Sequence, residues 1–129
     1  MATTKYILSI DDQSSICQMI AFTMSDLSND QINYEVDSAN DGQTGINMAK
    51  SKQYDLVITD QKMPGAVDGI QVIKTLKSTP NYRSIPVVML TMETTEQMKN
   101  AARDAGASGW MNKPFTPASL VNMVQRLLK

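Results

Sequence analysis

Histidine is absent from the 129 residues, and cysteine occurs once, as Cys17. The first absence excludes Ser-His-Asp catalysis, Cys-His catalysis and zinc sites built on imidazole. The second excludes an internal disulfide and points to a reducing, cytoplasmic setting. Net charge is also nearly absent: twelve basic residues against thirteen acidic leave −1, so bulk charge attracts neither nucleic acid nor an anionic membrane. Long apolar runs are missing too. The opening "MATTKYILSIDDQ" has no signal-peptide order, and no stretch is long enough to cross a bilayer. No linker, repeat or low-complexity segment appears, so residues 1–129 are expected to form one domain, large enough to bury a core without staples or metal.

What is present is an alternation. Strand-like runs near Lys5–Ile10, Tyr34–Ala39, Tyr54–Asp60, Ile85–Thr91 and Ser108–Asn112 alternate with helix-period segments near Ser14–Leu27, Gly42–Ser51, Gly69–Lys77, Thr95–Ala105 and Pro117–Leu128. In the first helix Ile16, Met19, Ile20, Thr23 and Leu27 mark one buried face. In the last, Leu120, Met123, Val124 and Leu127 do the same, behind a Thr116 cap and a Pro117 at the first helical position. Five repeats of this alternation argue for an α/β fold, a doubly wound five-stranded parallel sheet with five helices. "LVI" and "VVML" are continuously apolar, as strands covered on both faces should be.

Parallel strands end on one rim, where such sheets bind ligands. The first strand runs into Asp11 and Asp12, the third ends at Asp60, the fourth at Thr91 and the fifth at Lys113-Pro114. Three carboxylates, a hydroxyl and an ammonium are thus expected to meet. Neighbouring carboxylates repel and raise one another's pKa values, which a divalent cation and the Lys113 ammonium would offset. An oxygen donor set with room for water suits Mg²⁺ held together with a phosphate group. A carboxylate is also a competent nucleophile toward phosphorus.

These residues, with "ILSIDD", "SANDGQTGINMA", "YDLVITDQKMPG", "IPVVMLTMET" and "AGASGWMNKPF", resemble the receiver domain of two-component response regulators, most of all its single-domain chemotaxis (CheY-like) branch. The resemblance covers essentially the whole chain and implies a flavodoxin-like strand order 2-1-3-4-5. It implies that Asp60 accepts a phosphoryl group from a histidine kinase. Asp12 and Asp60 would hold Mg²⁺, with Asp11 acting through water and Lys62 through its carbonyl. Lys113 would pair with the phosphoryl oxygens, its bond to Pro114 being cis. Thr91 would move toward the phosphoryl group and let Trp110 turn inward, at a position where Tyr or Phe is commoner.

The fourth helix, fifth strand and fifth helix would then form the output face. They would contact a protein such as the flagellar motor switch rather than nucleic acid or membrane, from a chain that is monomeric when unphosphorylated. Such a chain is a signalling switch and not an enzyme with an external product. A phosphorelay intermediate or phosphate sink, and an unphosphorylated scaffold, are the alternatives.

Four features depart from the common pattern. "MPGAVDG" is one residue longer than usual. Met92 follows Thr91 in place of a small residue and could cover the site. Lys62 and Glu93 flank the site and could pair across its mouth, which together with Met92 would slow the loss of phosphate. The polar segment "SDLSNDQINYEV" reads as a loop insertion on the opposite rim.

Overall fold

The computed structural model describes residues 2–128; Met1 and Lys129, the ends of the expected domain, fall outside them. Five strands, β1 (Thr3–Ile10), β2 (Ile32–Ala39), β3 (Leu56–Thr59), β4 (Val87–Thr91) and β5 (Gly109–Asn112), form one parallel sheet in the order β2-β1-β3-β4-β5. Between them run α1 (Ser14–Leu27), α2 (Gly42–Ser51), α3 (Gly69–Lys77) and α4 (Glu96–Ala105), and α5 (Pro117–Leu127) closes the chain. The order matches the flavodoxin-like expectation.

The sheet divides the core into two layers. Leu8, Ile10, Val57, Val87 and Met89 face one side, where they meet Ile46, Ile73, Leu76 and Ala102 of α2, α3 and α4. Ile7, Leu56, Ile58, Val88 and Leu90 face the other, against Ile20, Met24, Leu120 and Val124 of α1 and α5. Successive side chains of a strand point to opposite faces, so a strand covered twice has no solvent-facing side and is buried at every position. That is why β3 and β4 are buried throughout. One helix differs from its reading: Met19 is 43% exposed, and the buried stripe of α1 instead contains Cys17, Ile20, Thr23 and Met24.

A side chain or a proline sets three of the boundaries that differ from the sequence reading. Tyr54 donates its N–H to the Tyr82 hydroxyl at 3.1 Å, and the Asp55 carboxylate accepts the Tyr6 N–H at 2.8 Å, so β3 starts at Leu56. Pro86 has no N–H to give, and β4 starts after it. Thr95 lies outside α4 as its cap, accepting from the Met98 N–H at 3.2 Å. The expected insertion after α1 is not a loop insertion. Only Ser28–Gln31 connect the elements, and β2 begins directly after them at Ile32, which pairs with Thr3. Asn29 closes this turn by accepting N–H groups of Gln31 and Ile32 at 2.8 and 2.9 Å.

Candidate functional site

Asp11, Asp60 and Lys113 are each the first residue past a strand, still tied to the neighbouring strand by one backbone bond. The Asp11 N–H donates to Ala39 at the end of β2, and the Asp60 N–H to Ile10 at the end of β1, both at 2.9 Å; the Lys113 N–H donates to Thr91 at 3.0 Å. Three side chains from distant parts of the chain are thereby fixed by the sheet itself. Asp60 is held from behind as well. Gly69, the first residue of α3, lies against the Asp60 carbonyl so closely that a Cβ there would collide with it. The buried Gln61 side chain bonds Asp68 at 3.1 Å and Ile70 at 2.9 Å, pinning this loop to the start of α3.

Lys113 is the hub. Its ammonium, 5% exposed, lies 2.6 Å from Asp11 Oδ2 and 2.9 Å from Asp60 Oδ2, and donates at 2.9 Å to Gln13 Oε1. Burial works to lower the Lys113 pKa, but the bonds to Asp11 and Asp60 outweigh it and hold the ammonium above the ordinary lysine value. Burial likewise raises the Asp11 carboxyl, and the bonds from Lys113 and the Gln13 N–H only partly offset that. The second Asp60 oxygen, Oδ1, accepts the Gln61 N–H at 2.7 Å.

Beside this hub opens a cavity of about 350 Å³, bordered by Asp12, Asp60, Thr91 and Lys113 and at its mouth by Lys62, Met92 and Glu93. All the rim residues expected from the sequence therefore come together, Thr91 with Asp60 among them. Oxygens of Asp11, Asp12 and Asp60 lie within 4.8 Å of one another. Two ligands on one Mg²⁺ at about 2.1 Å can be at most ~4.2 Å apart. The donor set therefore fits a hard cation once these oxygens draw closer together, or with one carboxylate acting through water.

The flanking residues depart more from expectation. Met92 is 72% exposed at the mouth of this cavity. Lys62 and Glu93 do meet, at 3.6 Å, but the lysine side chain is 84% exposed, and such pairs contribute only about 0–1 kcal/mol. They close the mouth weakly. The buried Thr91 hydroxyl accepts the Glu93 N–H at 3.3 Å. Trp110 is half-buried against the α2–α4 layer, with its ring N–H on Asn112 Oδ1 at 2.7 Å. It borders a groove of about 470 Å³ with Lys99 and Arg103 of α4. The Lys113-Pro114 bond is cis, as expected. Two residues escaped the sequence reading: Gln61, whose only signal was its place after Asp60, and Gln13, whose partner lies 100 residues away.

The family described as the response regulator receiver domain matches residues 7–125. Chemotaxis protein CheY-3 of Vibrio cholerae is 31% identical over 123 residues, covering 95% of this chain and 91% of that protein. The structure of chemotaxis protein CheY4 of V. cholerae superposes with a TM-score of 0.88 at 34% identity, covering 98% of this chain and all of the other. The phosphate regulon transcriptional regulatory protein PhoB of Escherichia coli is 32% identical over 123 residues, but these make up only 51% of its length.

Proposed function

The chain belongs to the response regulator receiver family, and on that premise we propose that Asp60 is a phosphoryl acceptor operating a signalling switch. The observation that carries this reading is the Lys113 ammonium set between two nearly buried carboxylates at 2.6 and 2.9 Å, beside an open cavity. A structural ion pair needs no such cavity; a reacting group does.

In the reaction an Asp60 oxygen attacks phosphorus, and the bond from phosphorus to the donor breaks. With a histidine kinase the leaving group is an imidazole, which agrees with the lack of histidine in this chain. Lys113 is placed to neutralise charge on the phosphoryl oxygens, and transfer of this kind is mostly positioning and charge neutralisation. Asp11, Asp12 and Asp60, with the Lys62 carbonyl, would hold Mg²⁺, which supplies further neutralisation when bound. The Thr91 hydroxyl, which now accepts from the Glu93 N–H, would donate its O–H to a phosphoryl oxygen, and Trp110 would follow into the space released.

The face of α4, β5 and α5 then presents a changed surface to a partner protein. The similarity to CheY-3 and CheY4 favours a chemotaxis partner, such as the motor switch, and a cytoplasmic setting. Among the described residues no helix is long and apolar enough to cross a membrane.

Incubation with acetyl phosphate and Mg²⁺ should add about 80 Da to the intact mass, the increment expected when a carboxylate nucleophile captures one phosphoryl group. EDTA should suppress the gain. If neither acetyl phosphate nor a histidine kinase produces an adduct, the scaffold alternative replaces this reading.

A further inference from the structure

The geometry points to Gln13 as a positioning residue for phosphoryl transfer, one that fixes Lys113 without neutralising it. This inference rests on the phosphorylation reading above.

Gln13 occupies the N-cap of α1, with φ −89° and ψ 101°, yet its side chain makes no capping bond. Caps favour Ser, Thr, Asp or Asn, whose short side chains reach the first free N–H groups. Here a longer amide is used, and it turns away from the helix to accept from Lys113 Nζ at 2.9 Å. The same residue donates its backbone N–H to Asp11 Oδ1 at 2.9 Å. One residue therefore fixes both members of the Asp11–Lys113 pair. A local rule set aside in this way marks a position where stability is not the only requirement.

An ammonium has three donors, and Asp11, Asp60 and Gln13 accept all three. When an Asp60 oxygen becomes esterified to phosphorus, the donor facing it is freed for a phosphoryl oxygen. Asp11 and Gln13 then remain as the two anchors that keep the ammonium from swinging out. Gln13 is neutral, so it holds Lys113 without cancelling the charge that the phosphoryl oxygens need. A carboxylate at this position would cancel it.

Three variants separate this role from a merely structural one. Gln13→Met keeps length but removes the acceptor, and Gln13→Ser restores an ordinary cap. Both should slow Mg²⁺-dependent uptake from acetyl phosphate roughly three- to ten-fold, the scale of one hydrogen bond to a charged group. Gln13→Ser should do so while raising the thermal midpoint by about 2–5 °C. Gln13→Glu should also be slow, although it can still accept from Lys113.

A second readout needs no reaction: the Lys113 ammonium signal in ¹⁵N NMR should exchange faster with water in Gln13→Met than in wild type. An unchanged signal, or unchanged uptake in both Gln13→Met and Gln13→Ser, overturns the inference. So does a loss of uptake that merely tracks a loss of stability. A wild type that takes up no phosphoryl group overturns the phosphorylation reading and this inference together, whereas an active wild type with an indifferent Gln13 overturns only the latter.

Discussion

Replacing Lys113 by methionine is expected to destabilise the metal-free protein by about 3 kcal/mol at neutral pH, the scale of breaking a buried ion pair from one side. The ammonium is 5% exposed and Asp11 only 3%, so solvent cannot take over the lost charge. Asp11 already lies above the ordinary aspartate range because it is buried. Without Lys113 it should rise further.

A carboxyl whose folded pKa exceeds its unfolded value contributes stability below the unfolded pKa and loses it as pH rises through the folded one. The deficit of Lys113→Met should therefore be largest near neutrality and shrink on acidification. Saturating Mg²⁺ should also reduce it, because a cation bound only by the folded state stabilises that state. Urea titrations at several pH values, with EDTA or with Mg²⁺, read all of this directly. Uptake of phosphate should fall by about 100-fold, the scale of removing one charge-stabilising donor from a transition state. A deficit that persists unchanged in acid would mean that Lys113 acts by packing rather than by charge.

The Asp60→Asn variant is expected to show the opposite balance: uptake abolished, stability nearly intact. An amide is isosteric with the carboxylate, but its single oxygen can accept from only one of the two partners now bonded at 2.9 and 2.7 Å, Lys113 and the Gln61 N–H; removing one charge from the crowded Asp11, Asp12 and Asp60 carboxylates offsets that loss. Stability should change by about 1 kcal/mol or less. The amide is no nucleophile, however, so no mass gain should remain at any Mg²⁺ concentration. Circular dichroism with intact-mass measurement separates the two effects. A variant that still gains phosphate would place the acceptor elsewhere on the rim.

Most of the fold was legible because two simple signals agreed. Helix-period segments alternated with apolar runs, and "LVI" in β3 and "VVML" in β4 were continuously apolar, as a sheet covered on both faces requires. The site was legible for a related reason. Parallel strands make the order of strand ends equivalent to proximity, so Asp11, Asp60, Thr91 and Lys113 could be placed together without coordinates.

What was not legible depends on side-chain direction. Met92 was read as a cover and Glu93 as one side of the mouth, but nothing in "TME" says that the thioether is left largely exposed while the carboxylate turns toward Lys62. Gln13 was hidden because at an N-cap its local role would be capping, and its actual partner is fixed only by the packing of β5 against β4. The length of β2 was misread because Ile32 and Asn33 directly follow the polar turn "NDQ", whereas their backbone continues the ladder along β1 as far as Thr3. Edge strands tolerate such polarity because one side is open to water.

The most direct test of the account is the location of the phosphoryl group. After incubation with acetyl phosphate and Mg²⁺, borohydride reduction converts an aspartyl phosphate to homoserine, which tandem mass spectrometry can place in the chain. The account predicts homoserine at residue 60 alone. Modification at Asp11 or Asp12 instead, with Asp60 intact, would contradict it.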